Sequence, residues 1–411
     1  MNMLDYAIKS TTEYINHVPK SQRKKYGQFF TSKETAVFMA GLFEIPNGRQ
    51  VLSVLDPGAG SGILSIALLE HLQVFPEIKE IRLVCYENDP NVIELLHSNL
   101  KAARSQSQKK ISYEIVPDNY ILSQAADYNQ MLGANLNPDK FDIIIGNPPY
   151  MKIAKDAPEA LAMSNVCYGA PNLYFLFAAM SMFNLRDDGE MVYIIPRSWT
   201  SGAYFKRFRQ KFLSEGVLEH IHLFVSRDKV FEKESVLQET IIIKLRKTRS
   251  KPDTVTITAT QSNADFSQRT IFEAPYSAVV NGSDSYVYLV TNADEVETLN
   301  SLNKWENTLP SIGLKMKTGL TVDREALRDA AEEQAVPLFY SQHIQNGKVV
   351  FPVGKEHEYL VTEQRGLLQP NKNYLFVKRF TAKEEHRRLQ CGVYLAKKHP
   401  EYSQISTQNK V

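Results

Sequence analysis

Apolar residues fall into two rhythms along this chain. Between about residues 50 and 245, short runs rich in branched side chains alternate with stretches of helical periodicity. The runs at 51–55, 81–86, 112–116, 141–145, 191–195, 218–224 and 240–245 read as strands, and 63–72 and 91–104 as intervening helices. That alternation predicts an α/β fold with a mostly parallel, doubly wound sheet, because parallel neighbours need a long crossover. In such a sheet ligands sit at the carboxyl ends of the strands. Residues 1–20 predict a short amphipathic helix ending before Pro19. After about residue 250 the rhythm breaks into short strand-like pieces, turns and polar stretches, with 247–253 reading as a linker. The expected division is a first domain at 1–248 and a mixed α/β second domain at 249–411. The ending GVYLAKKHPEYSQISTQNKV stops in strand-like sequence without a finishing element, as a chain truncated at its C-terminus would.

Composition adds little: 43% hydrophobic and 23% charged residues with a net charge of +2 describe an ordinary globular chain. The distribution of charge says more. Lys206, Arg207, Arg209 and Lys211 cluster, and a second basic stretch holds Lys378, Arg379, Arg387, Arg388, Lys397 and Lys398. Each fits either a phosphate-tracking patch or a solvated face. Cys85, Cys167 and Cys391 are too scattered for a disulfide framework or zinc site, so no metal is expected. The N-terminus lacks a signal-peptide pattern and no apolar run approaches a membrane span, which predicts a cytoplasmic protein without membrane contact.

Candidate chemistry sits at the strand ends. After the first strand comes Asp56-Pro57-Gly58-Ala59-Gly60-Ser61-Gly62, where Gly58, Gly60 and Gly62 let the backbone approach a ligand. No Lys and no GxGxxG spacing marks it for phosphate, and Asp56 suits a ligand bearing donors or positive charge. Glu87 at the tip of the second strand stands where a doubly wound fold accepts ribose hydroxyls. Asp89 before Pro90 reads as a helix cap. After the third strand, Asp118 or Asn119 is placed to accept an adenine amino group. The fourth strand ends in Asn147-Pro148-Pro149-Tyr150. There the Asn147 amide oxygen and a carbonyl fixed by the prolines can hold both hydrogens of a planar amine, turning its lone pair out of conjugation. Tyr150 offers a face for stacking a ring.

Together these motifs resemble the gamma class of DNA N6-adenine methyltransferases of bacterial restriction–modification systems. The stretch Lys24-Lys25-Tyr26-Gly27-Gln28-Phe29-Phe30-Thr31 resembles that family's N-terminal motif, residues 56–62 its cofactor loop, and 147–150 its catalytic tetrapeptide. Residues 189–196 resemble its fifth strand and 229–235 the loop that supplies a second aromatic, here Phe231. The resemblance spans about 20–250. It departs at Ser32, where the family usually has proline, and at Asp118-Asn119, where it has Asp-Phe.

The resemblance implies a Rossmann-like domain using S-adenosyl-L-methionine, followed by a target-recognition domain. Tyr26, Gln28, Phe29, Thr31, Asp56, Gly58, Gly60, Gly62, Glu87, Asn88, and Asp118 or Asn119 would meet the cofactor. Asn147, Pro148, Pro149, Tyr150 and Phe231 would meet the target base. It further implies base flipping from double-stranded DNA, action as a monomer, and room for a separately encoded restriction endonuclease as partner. No nuclease signature is visible in this chain. Alternatives from the same residues are methylation of cytosine N4, RNA or a protein glutamine, or a DNA-binding module without turnover.

Overall fold

The computed structural model describes residues 2–18, 31–45, 48–131, 140–224, 239–381, 385 and 387–411. They fall into two units, Met1–Lys304 and Trp305–Val411. In the first, β1 (Val51–Asp56), β2 (Glu80–Tyr86), β3 (Lys110–Val116), β4 (Phe141–Gly146), β5 (Leu185–Pro196), β6 (Val217–Phe224), β7 (Thr240–Arg246), β8 (Thr254–Thr260) and β9 (Thr270–Pro275) form one sheet. Its order is β3-β2-β1-β4-β5-β7-β6-β8-β9. The five strands from β3 to β5 pair in parallel. β7 lies antiparallel between β5 and β6.

Both faces of this sheet are covered, which is why its inner strands are continuous apolar runs. Side chains alternate across a strand, so Ile143 and Ile145 join one core while Ile144 joins the other. The first core receives α1 (Met3–His17), α2 (Lys33–Ala40), α3 (Ile63–His71) and α4 (Pro90–Gln106). The second receives α5 (Tyr120–Tyr128), α7 (Leu173–Asn184) and α8 (Lys206–Glu215), with the short α6 (Pro158–Ala162) against α5. Asp89 caps α4 as expected, accepting from Asn91 N at 3.0 Å. Polar groups inside the second core satisfy one another. Ser181 Oγ lies 2.6 Å from the Tyr193 hydroxyl and 3.2 Å from that of Tyr120, to which Asn184 donates at 3.0 Å.

Two expectations change here. The first unit does not end at 248. β8 pairs in parallel with β6, β9 pairs with β8, and α9 (Tyr276–Val279) and α10 (Ala293–Asn303) follow. Residues 247–253 are therefore the turn into β8 and not an inter-domain linker. Sequence pattern missed this because the partner of β8 lies well upstream of the turn. The first basic cluster is also largely engaged. Arg209 is fully buried, donating to the carbonyls of Trp199, Ser201, Gly202 and Asp284 at 2.9–3.1 Å. Lys206 pairs with Asp284 at 2.6 Å and Lys211 with Glu215 at 2.5 Å. Arg207 donates to the Cys167 carbonyl at 3.0 Å.

The second unit has two small sheets. One runs Leu327–Arg328, Tyr359–Leu360, Val336–Phe339, Gln404–Thr407, Leu368–Pro370; the other Ile344–Gln345, Gly347–Val349, Cys391–Tyr394, Tyr374–Val377. The strand-like ending is thus an interior strand, paired on both sides. Phe339, Ile344, Phe376, Tyr394 and Ile405 form part of its core. His343 and Glu358 form a buried pair 2.6 Å apart. Glu358 also accepts from Val353 N and Gly354 N at 2.8 and 3.1 Å.

A candidate cofactor and amine pocket

The sheet order reverses between β1 and β4, with β2 and β3 to one side and β5 to the other. Loops leaving adjacent strands diverge at such a point and open a crevice above their carboxyl ends. A cavity of about 210 Å³ lies there, lined from the ends of β1, β2, β3 and β4.

Gly58 and Gly60 line it. Gly60 has φ +52°, a conformation that a side chain makes costly. Gly62, at φ +85°, lies outside the lining; a Cβ there would approach Leu96 Cδ1 to 2.8 Å. Its role is the close seating of α3 on α4. Asp56 also differs from expectation, since it does not line the cavity and is wholly buried. Its Oδ2 accepts from Ser65 Oγ at 2.7 Å, tying β1 to the first turn of α3. Burial pushes its carboxyl up to about 7, against hydrogen bonds from Ser65 and the Gly58 amide.

Glu87 and Asn88 line the cavity from β2. Glu87 accepts from Gly60 N at 2.9 Å and Asp89 N at 2.8 Å. Burial raises its carboxyl, and those amides hold the rise back. Each carboxylate oxygen has a second acceptor direction for a ligand hydroxyl. Asp118 and Asn119 both line the cavity, with different roles. Asp118 is exposed. Asn119 caps α5, its Oδ1 accepting from Ile121 N and Leu122 N at 3.1 Å, while its Nδ2 donates to Glu159 Oε1 at 2.7 Å.

Asn147 and Pro149 line the cavity at the end of β4; Pro148 and Tyr150 are not among its lining residues. The Asn147 Nδ2 donates to Oγ1 of Thr31, another lining residue, at 3.2 Å, which orients the amide. The Tyr150 hydroxyl donates to the Ile194 carbonyl at 2.9 Å. Its ring stands edge-on to Tyr174, with centroids 6.3 Å apart. Burial and the neighbouring Tyr174 raise that phenol well above its ordinary value, so Tyr150 contributes a neutral, fixed ring. Tyr26, Gln28, Phe29 and Phe231 lie outside the described residues.

Several lining residues escaped sequence reading. Leu173 and Phe177 come from α7, one helical turn apart, in a stretch that carries no motif. Phe177 Cε1 lies 3.6 Å from where a Gly58 Cβ would sit, which places the ring directly against the glycine loop. Glu159 had no motif to announce it. With Glu87 and Asp118 it makes the wall acidic, complementary to a ligand carrying hydroxyls, an amine and a cationic centre. The glycine cradle, diol acceptor and apolar Leu173–Phe177 wall fit S-adenosyl-L-methionine, which carries all three groups on an adenosine.

The profile of the Eco57I restriction-modification methylase family matches residues 73–231. The type II methyltransferase M.PstI of Providencia stuartii is 33% identical over 98% of this chain and 80% of its own. M.BsuBI of Bacillus subtilis is likewise 33% identical, over 90% of this chain and 74% of its own. Among solved structures, the type I restriction-modification methyltransferase subunit from Streptococcus thermophilus covers 67% of this chain and 53% of that one. Its sequence identity is 17% and its TM-score 0.43. Identity at a third of the aligned positions with two type II methyltransferases, over 90% or more of this chain, makes it a member of the restriction–modification DNA methyltransferases.

Proposed function

We propose that this protein methylates N6 of adenine at a specific site in double-stranded DNA. The observation that carries the reading is the single cavity shared by the glycine loop, Glu87 and Asn147. Donor and acceptor sites are therefore adjacent, and no covalent relay through the protein is needed.

When bound, S-adenosyl-L-methionine supplies an electrophilic methyl on a sulfonium. Glu87 holds its ribose hydroxyls, with Asn88 beside it, and the Gly58–Gly60 backbone lets it approach. Asp118, whose carboxylate is exposed at the rim, accepts from the adenine amine; Asn119 has its acceptor occupied by the α5 cap. The target base leaves the duplex to reach Asn147, at a cost of a few kcal/mol. Thr31 turns the Asn147 amide so that its oxygen, with the Pro148 carbonyl, accepts both amine hydrogens. The nitrogen lone pair then leaves the ring system and becomes the nucleophile, and its surplus proton passes to water after transfer. Tyr150, anchored to β5, and Phe231 supply aromatic faces. Rate acceleration comes mainly from positioning.

The second unit reads the target sequence in this proposal, with its exposed basic residues on phosphates. The protein acts as a cytoplasmic monomer, and a separately encoded endonuclease of the same specificity is its natural partner. Labelled S-adenosyl-L-methionine, mixed bacterial DNA and nucleoside analysis test the reading. N6-methyladenine that disappears in Asn147→Ala is expected. N4-methylcytosine as the labelled product would redirect the specificity, and label in RNA or protein alone would overturn DNA as the substrate.

A further inference from the structure

The segment after the catalytic turn leaves the sheet at Met151 and returns at Leu173, closed by a short antiparallel seam. Leu173 N donates to the Met151 carbonyl and Ile153 N to that of Pro171, both at 2.8 Å. Lys152 and Asn172 form the bridge between them. Within this excursion lies α6, and Glu159 in its first turn is the residue that lines the cofactor cavity.

The Asn119 amide has only one orientation that satisfies its neighbours. Its oxygen must face the two backbone donors of α5, which turns its NH2 toward the Glu159 carboxylate. The bond is charge-assisted and joins the helix leaving β3 to the excursion leaving β4. Elsewhere α6 is held by Asn129 Nδ2 donating to the Ala162 carbonyl at 2.9 Å, and by buried Ala160 and Met163. Those contacts anchor its far end. Among the described residues, the Asn119–Glu159 bond is the side-chain hydrogen bond that fastens its near end over the pocket.

We propose that Glu159 is a positioning residue for the nucleoside of the cofactor: through Asn119 it straps α6 across that end of the cavity. The inference rests on the reading that this cavity takes S-adenosyl-L-methionine. It predicts that the strap acts on cofactor affinity and leaves the amine-holding Asn147 untouched.

The test is a set of variants in the full chain, read by calorimetric binding of S-adenosylhomocysteine and by steady-state methylation. Glu159→Ala should raise the cofactor KM and the S-adenosylhomocysteine Kd about tenfold, the loss of one charge-assisted hydrogen bond. Its kcat and DNA KM should stay as in the wild type. Glu159→Gln keeps an acceptor for Asn119 and should stay within about threefold. Asn119→Asp keeps the helix cap but sets two carboxylates against each other, and should weaken the cofactor as Glu159→Ala does. Adding Glu159→Gln to Asn119→Asp restores a donor–acceptor pair and should rescue affinity, which a merely damaged α6 would not allow. Wild-type affinity in Glu159→Ala, a fall in kcat alone, or no rescue in the double variant would overturn the strap. A wild-type protein that binds no cofactor would remove the reading of the cavity as well.

Discussion

The two units are stabilised in different ways. Met1–Lys304 buries a nine-stranded sheet between two helical layers, with cores running through Ile143, Ile145 and Val192 on one face and Ile144, Tyr193 and Phe208 on the other. Trp305–Val411 spreads its strands, two to four residues each, over two sheets around two small cores, the larger drawing residues from both sheets. It shows large apolar side chains to solvent, Met316 at 88% and Leu389 at 75% exposed. The basic stretches differ in the same sense. Around α8 the charges are spent on carbonyls and carboxylates of the fold. In the second unit Arg379, Arg387, Arg388, Lys397 and Lys398 are exposed. One unit folds its basic cluster into the structure; the other keeps its basic stretch at the surface.

The sharpest way to break that contrast is Phe339→Ala. Phe339 is fully buried and meets Phe351, Phe376 and Tyr394 at ring distances of 4.9–5.2 Å. The loss should be about 3–5 kcal/mol. If the units are energetically separate, calorimetry will show it in one transition only, with cofactor binding intact. Asn147→Ala is the converse: methylation should fall about a hundredfold or more while both transitions and cofactor affinity hold. Smaller again is the pair Arg387→Ala and Arg388→Ala, which should weaken DNA binding about tenfold and flatten its salt dependence by one to two phosphate contacts. Lys211→Ala, with its partner already in the fold, should leave that dependence unchanged.

The smallest effect is a slope. The Asp56 carboxyl, raised by burial to about 7, holds a proton in the folded protein that the unfolded chain has lost above pH ~4. Its stabilising contribution is therefore complete below pH ~4 and is lost as pH rises through about 7. The decline reaches at most about 1.4 kcal/mol per pH unit. Asp56→Asn cannot ionise, so chemical unfolding between pH 5 and 8 should show that decline removed from the first unit and the second unit unaffected.

The same contrast explains what was legible in the sequence. Strands buried on both faces write themselves as apolar runs, so β1 to β4, β6 and β7 could be found within a residue or two at most of their ends. β5 began earlier than its apolar run, because Arg186 to Gly189 pair or turn without being apolar. β8 reads TVTITAT and faces a partner far away in the chain, so it passed for the start of another domain. In the second unit, strands of two residues carry no periodicity to detect. At the site, contiguous motifs placed Gly58, Gly60, Glu87 and Asn147 on the cavity wall. Asp56 and Gly62 belong to the same motif but support it from behind, a distinction that only side-chain direction reveals. Leu173, Phe177 and Glu159 reach the cavity through folding alone.

The seam between Met151 and Leu173 has a consequence for how such a chain can diversify. Because the ends of the excursion are pinned 2.8 Å apart by their own backbone, its exposed positions can be rewritten without moving the 147–150 turn before it or α7 after it. Lengthening a closed loop by half costs only roughly 0.4 kcal/mol in closure entropy. The segment is thus a slot for evolutionary tinkering at its solvent-facing positions, while Glu159 and the buried Ala160, Met163 and Val166 hold the rest to the cavity and the core.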